Sequence, residues 1–231
     1  MRSFIREITS STLDVILPRT CPGCSVKLLK TEKILCIDCL NDLTPAPESS
    51  IIEEFNKHFA ETKLITDLFS MFLFEKGEAI QKLLFSIKYD RRFTSAFYLG
   101  ELLGEALLQF RSEWDYDLIL PVPLHKVRLI ERGFNQANYI AKGISSIIGA
   151  NANTDILYRK RYTETQTKKD KEERKRNVQN AFTLKLAKEI LNKNILLVDD
   201  VITTGSTINA TAEVLKLNGA KNVFAASIAL A

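Results

Sequence analysis

The stretch Ile195 to Thr207, reading Ile-Leu-Leu-Val-Asp-Asp-Val-Ile-Thr-Thr-Gly-Ser-Thr, constrains the fold of this chain more than any other. Its first four residues form an unbroken apolar run, the pattern of a parallel strand buried on both faces. Apolar residues then recur at helical spacing, Ile208, Ala212, Val214, Leu215 and Leu217, up to Asn218 and Gly219, where a left-handed residue closes a helix. A polar turn between a buried strand and a helix belongs at the carboxyl edge of an open α/β sheet. Ligands bind at that edge, and the first N–H groups of the helix suit an anion. The expected fold is α/β, a mainly parallel sheet flanked by helices.

The residue types in the turn indicate what it binds. Gly205 lets the backbone approach a phosphate, and Thr203, Thr204, Ser206 and Thr207 surround it with hydroxyl donors. Asp199 and Asp200, just before Val201, would repel a phosphate, so they should meet hydroxyls or a divalent cation a few ångströms away. A sugar with a phosphate at one end and free hydroxyls in its middle meets both demands. The plainer alternative is a buried strand ending in a solvated acidic turn. The order of hydroxyls, glycine and helix start argues against it, and no Gly-x-x-x-x-Gly-Lys-Ser/Thr or Gly-x-Gly-x-x-Gly occurs anywhere in the chain. At these residues the stretch resembles the phosphoribosyl pyrophosphate (PRPP) loop of type I phosphoribosyltransferases. That resemblance implies Asp199 and Asp200 as the catalytic acidic pair on the ribose hydroxyls, with Mg2+ bound alongside PRPP. It also implies that Val201 and Thr203 to Thr207 wrap the 5-phosphate.

All four cysteines fall in one short segment: Cys21-Pro22-Gly23-Cys24, eleven residues, then Cys36-Ile37-Asp38-Cys39. Two such knuckles gather four thiolates into a tetrahedron, the preference of a structural zinc site, and Pro22 and Gly23 make the first turn tight. Two disulfides are the alternative, one that a cytosolic chain rarely keeps. Four ligands from Cys21, Cys24, Cys36 and Cys39 leave no open position, so Zn2+ here is structural.

With 231 residues and 45% hydrophobic content, the chain can bury one core and carry a small appendage. We divide it into a segment 1–45, holding an amphipathic N-terminal helix (Phe4, Ile5, Ile8, Val15, Ile16) and the cysteines; a linker 46–63 with a short helix; and a phosphoribosyltransferase-like domain 64–231. In the linker, His58 reads as a solvated surface residue. No apolar run approaches the roughly 20 residues that span a bilayer. Met1 to Leu17 carries Glu7 and Asp14 and lacks a cleavage site, so a cytoplasmic protein is expected. A strand is expected over Leu64 to Phe74, helices over Glu78 to Ile87 and Phe97 to Phe110, and a strand over Asp117 to Leu120.

That last strand runs into Pro121-Val122-Pro123-Leu124-His125, followed by Lys126, Arg128 and Arg132. The prolines restrict the turn and place basic groups beyond a strand end, where arginine forks hold a pyrophosphate well. Val122, Pro123, Leu124, His125, Arg128 and Arg132 are therefore candidates for the same cleft; a rigid loop with a solvated basic face is the alternative. These segments, with Arg132-Gly133-Phe134-Asn135-Gln136, Arg159-x-Arg161-x-Thr163-x-x-Gln166, Arg174-x-x-Asn177, Ala181-Phe182 and the cysteine knuckles, resemble the ComF family of competence proteins. The resemblance implies PRPP binding and DNA uptake in natural transformation. Its implied partners are single-stranded DNA and a DNA-uptake helicase or other competence proteins. Two residues depart from the family pattern: Lys169 replaces an apolar residue, and Arg91 stands where glycine is common.

Basic charge is concentrated in one place. From Arg159 to Arg176 nine basic residues face four acidic ones, whereas the whole chain is only +4. Arg159, Arg161, Gln166, Arg174, Arg176 and Asn177 lie in or beside this segment. It reads as a flap over the PRPP site, as a contact to nucleic-acid phosphates, or as a solvated helix laced with charge pairs. The chain has no recognisable pocket for a nucleobase or amine acceptor. An ordinary phosphoribosyltransferase of nucleotide salvage or synthesis, or a non-catalytic phosphate-binding module, are the alternative functions.

Overall fold

In the computed structural model, residues 18–159 and 181–231 are described, so the N-terminal helix lies outside the described residues. In chain order the elements are α1 (Ile37–Asn41), α2 (Glu48–His58), β1 (Asp67–Leu73), α3 (Ala79–Tyr89), α4 (Phe93–Phe110), β2 (Leu118–Pro121), α5 (Lys126–Arg132), α6 (Gln136–Ile148), β3 (Asn151–Ala152), β4 (Leu157–Arg159), β5 (Phe182–Leu184), β6 (Asn194–Ile202), α7 (Ser206–Leu217) and β7 (Asn222–Leu230).

Five strands form one sheet in the order β1-β7-β6-β2-β3, every neighbouring pair parallel; β4 and β5 make a separate antiparallel pair. The apolar run Ile195 to Val198 is fully buried in β6, because a strand with sheet neighbours on both sides and helices on both faces exposes none of its side chains. From β6 the chain crosses through α7 to β7 on one side, and from β2 it crosses through α5 and α6 to β3 on the other. Right-handed crossovers in opposite directions put their helices on opposite faces. The carboxyl ends of β2 and β6 therefore flank a topological switch point, the crevice where ligands bind in such sheets.

Three local differences from the sequence reading have physical causes. Lys126 to Arg132, read as loop, is helical: His125 caps its start and Gly133, at φ +81°, ends it. It buries no residue, and Ile130 is 81% exposed, so no apolar stripe announced it. The helix α4 starts at Phe93, four residues earlier than its apolar periodicity suggests. Finally, α2 occupies eleven residues of the 46–63 stretch, and Phe59, just after it, is completely buried.

Candidate functional site

The strand β6 continues through the acidic pair, with Asp199 opposite Ser227 and Val201 opposite Ala229 on β7. The two carboxylates interact with each other, and the charge of Lys88 reaches both. Asp200, only 6% exposed, meets the Lys88 ammonium at the end of α3, Nζ to Oδ2 2.5 Å. Asp199 accepts a hydrogen bond at Oδ1 from the backbone N–H of Asp200 at 2.9 Å and lies within the field of Arg159. Burial, and after it the charge of Asp200, holds the Asp199 carboxyl well above the usual carboxylate range. Burial and the nearby Arg128 push the Arg159 guanidinium down, and the carboxylate of Asp199 partly offsets this.

Beyond Ile202 the turn holds Thr203 and Thr204 exposed, with Ser206 and Thr207 half-buried at the start of α7. The Thr204 and Ser206 hydroxyls share a hydrogen bond of 2.9 Å. No side chain among the described residues caps α7, so no cap competes for its leading N–H groups. Gly205 sits at φ +64°, and a Cβ there would lie 2.6 Å from Cζ and 2.9 Å from Cε1 of Phe59. The side-chain slot of Gly205 is thus filled by the buried ring that follows α2. Asn209 on α7 fastens the same segment, donating through Nδ2 to the His58 carbonyl at 2.8 Å and sharing a hydrogen bond with the Thr62 hydroxyl at 3.1 Å. His58 is not the solvated residue expected: it is half-buried, with Nε2 2.9 Å from Glu54 Oε2 one turn earlier.

The loop after β2 runs beside this cradle. Val122 N–H donates to the Val198 carbonyl at 2.8 Å, extending the β2–β6 register to the edge of the acidic pair. Asn135, buried at the start of α6, donates through Nδ2 to the Val122 carbonyl at 2.9 Å and accepts at Oδ1 from Ala137 N–H at 3.2 Å. Pro123 and Leu124 are half-buried in the loop. His125, read from sequence as a pyrophosphate contact, caps α5, its Nδ1 accepting from Val127 N–H at 3.2 Å. Its backbone also bridges in parallel to Arg159, so the end of β4, where the basic segment departs, is anchored beside the loop. Phe182, on the returning strand, pairs with Arg159. Arg132 turns toward Tyr89, its guanidinium 5.7 Å over the ring, and donates to Gln136 Oε1 at 3.2 Å.

One edge of the sheet therefore gathers Asp199, Asp200, Val201, Thr203, Thr204, Gly205, Ser206, Thr207, Val122, Pro123, Leu124, His125, Arg128 and Arg159. Arg161, Gln166, Arg174, Arg176 and Asn177 lie outside the described residues. Sequence reasoning missed Lys88 as a partner of Asp200, along with Phe59, Asn135 and Asn209. Lys88 carried a signal, a basic cluster closing an amphipathic helix, but nothing in the sequence specified which carboxylate it would reach.

At the other end of the chain the four cysteine Sγ atoms lie within 4.8 Å of one another and none is in a disulfide. Tetrahedral zinc with Zn–S bonds of about 2.3 Å needs sulfurs ~3.8 Å apart, and Cys24 and Cys36 are at 3.5 Å. Backbone N–H groups already point at the sulfurs: Cys36 N–H donates to Cys21 Sγ at 3.4 Å and Cys39 N–H to Cys36 Sγ at 3.5 Å. Burial alone would raise the Cys21 thiol, but N–H groups of Cys36, Cys24 and Gly23 outweigh it and bring it down to about 7. Burial and the neighbouring thiols push Cys39 up. A Cβ on Gly23 would sit 2.6 Å from Cys39 Sγ, so the knuckle glycine makes room for the facing sulfur. The four residues are positioned for a metal and fit a closed zinc site.

These features define the class: a phosphoribosyltransferase-type α/β domain behind a four-cysteine segment. The family model described as phosphoribosyl transferase domain matches residues 132–230. The DNA utilization protein YhgH of Shigella flexneri is 31% identical over 208 residues, covering 88% of this chain and 86% of that protein. Competence protein F of Haemophilus influenzae is 32% identical over 150 residues, 63% of this chain and 66% of that protein. The chain belongs to the ComF family. Among solved structures, glutamine PRPP amidotransferase from B. subtilis is similar with a TM-score of 0.39 at 21% identity, over 57% of this chain and 26% of that one. Among the described residues no helix is long and apolar enough to cross a membrane.

Proposed function

We propose that the crevice between β2 and β6 binds PRPP together with Mg2+, and that the protein uses this site in a ComF-type role in DNA uptake, handling single-stranded DNA in the cytoplasm. The observation that carries this reading is the junction of β6 and α7. A buried acidic strand ends at a switch point and runs through exposed hydroxyls into a helix start that no side chain caps. Such a helix start suits the 5-phosphate, with Thr203, Thr204, Ser206 and Thr207 donating around it. The carboxylates behind it suit the ribose hydroxyls. Arg128 and Arg159, beside the loop Val122 to His125, supply positive charge for the pyrophosphate.

In this assignment a bound Mg2+ would supply positive charge to the pyrophosphate, and the protein contributes Asp199 and Asp200 to orient the sugar. Phosphoribosyl transfer breaks the C1–O bond to pyrophosphate and forms a bond from C1 to the acceptor. The charge that must be stabilised therefore develops on the departing anion, on the side of Arg128 and Arg159. The ends of β4 and β5 root the basic segment at this side of the cleft, which supports a role for Arg161, Gln166, Arg174, Arg176 and Asn177 either over the pyrophosphate or along a nucleic-acid backbone. A helicase or other competence protein would be the partner receiving the strand. In this reading Cys21, Cys24, Cys36 and Cys39 hold one structural Zn2+.

Two assays separate the possibilities. Release of pyrophosphate from PRPP and Mg2+ is expected with an acceptor and lost in Asp200→Asn; no release across purines, pyrimidines and ammonia donors contradicts turnover and leaves a binding module. Charge reversal at Arg174 and Arg176 is expected to weaken single-stranded DNA binding and flatten its salt dependence, and an unchanged slope contradicts a DNA contact there.

A further inference from the structure

The acidic pair is not an open chelate. Its two carboxylates interact with each other, and a cation already stands beside them: Lys88 Nζ lies 2.5 Å from Asp200 Oδ2, with the lysine side chain 20% and the aspartate side chain 8% exposed, and its charge also reaches Asp199. The ammonium is delivered from the last turn of α3, whose apolar face is fixed in the core through Ile80, Leu83, Leu84 and Ile87. The Arg132 guanidinium stands 5.7 Å from the ring centre of the neighbouring Tyr89. Lys88 is therefore held in place by the packing of its helix.

We propose that Lys88 is a built-in counter-ion that takes at Asp200 the place of a divalent metal, so that Asp200 binds a ligand hydroxyl as an ion-paired carboxylate and does not serve as a metal ligand. A carboxylate that keeps one oxygen on an ammonium retains lone pairs for a sugar hydroxyl, and the ammonium fixes its orientation. A free Mg2+ approaching the same oxygen would meet a fixed positive charge within a few ångströms. On this assignment, which rests on the sugar-phosphate reading of the cleft, any Mg2+ arrives on the pyrophosphate and stays with it. Lys88 is a positioning residue: it acts on the sugar through Asp200.

The test uses the full chain as wild type, Lys88→Met, Lys88→Arg, and Lys88→Met with Asp200→Asn. Mn2+ alone, followed by electron paramagnetic resonance, is expected to show no site at the cleft in wild type or Lys88→Arg. Lys88→Met should gain a site, and Asp200→Asn should remove it. A cleft Mn2+ site of equal affinity in wild type, or none in Lys88→Met, overturns the proposal. Ribose 5-phosphate, which carries the diol and phosphate but no pyrophosphate, supplies the second arm. Wild type and Lys88→Arg should bind it equally with Mg2+ or with chelator, whereas Lys88→Met should lose about tenfold in chelator and recover with Mg2+. Wild-type binding that requires Mg2+ also overturns the proposal. Absence of ribose 5-phosphate binding in wild type counts against the sugar-phosphate reading, and the Mn2+ arm then decides the role of Lys88 by itself. Far-ultraviolet circular dichroism, with Lys88→Arg as the conservative rescue, separates these outcomes from misfolding.

Discussion

Replacing Gly205 with alanine tests whether the cradle rests on the segment that follows α2. The new methyl group meets two costs. At φ +64° an L-residue is strained by about 1–2 kcal/mol relative to glycine. Its Cβ would also lie 2.6 and 2.9 Å from two ring carbons of Phe59, a residue with no exposed surface and therefore little room to move. Overpacking of that kind costs about 1–3 kcal/mol, so the total is ~2–5 kcal/mol. For a chain of this size each kcal/mol lowers Tm by about 2–4 °C, so Gly205→Ala should melt roughly 4–20 °C below wild type in a calorimetric scan. The clash can be isolated with Phe59→Leu, which removes the ring atoms nearest the new methyl. The double variant should be more stable than the sum of the single effects by about 1–3 kcal/mol, leaving only the backbone strain. A Gly205→Ala Tm within about 2 °C of wild type, or strictly additive variants, would refute the idea that Phe59 supports the turn.

Metal analysis of the purified chain should give about one zinc per molecule, with Cys39→Ser losing the metal and unfolding at lower temperature; a metal-free, equally stable wild type contradicts the closed site. Arg91 occupies φ +54°, a conformation that glycine adopts without strain, and Arg91→Gly should raise stability by about 1 kcal/mol in urea denaturation, whereas a loss would show that its guanidinium contacts beside Gly133 outweigh the strain. Because burial raises the Asp199 carboxyl above its unfolded value, that group's contribution to stability is fully present below the unfolded pKa of about 3.9 and is lost as pH climbs through the higher folded value. Asp199→Asn should thus melt above wild type by a margin that widens as pH climbs above the unfolded value, and a margin that shrinks with rising pH rules the assignment out.

The parts of this molecule legible in the sequence are those set by local pattern. The buried run Ile195 to Val198, the hydroxyl turn and the helix behind it announced the central strand, its carboxyl edge and the cradle. The Cys-x-x-Cys spacings announced the four-sulfur cluster. The left-handed backbone of Arg91 was not legible in its residue type, since arginine rarely adopts it. What stayed hidden depends on contacts between distant segments. Phe59 beneath Gly205 joins residues 146 positions apart, and Lys88 beside Asp200 joins residues 112 apart; neither separation leaves a trace in periodicity. The short helix α5 was hidden for the opposite reason, since Val127, Leu129 and Ile130 remain exposed and carry no burial pattern. The role of His125 Nδ1 as the cap of α5, accepting from Val127 N–H, was likewise not legible beside its assignment to the pyrophosphate.

The central claim is that the edge formed by β6, α7 and the loop after β2 is a PRPP site. Its most direct test is calorimetric titration of PRPP with Mg2+ into wild type and into Asp199→Asn/Asp200→Asn. The account predicts saturable binding at one site per chain in wild type and its loss in a double variant that remains folded. No heat in wild type, or equal affinity in the variant, would contradict it.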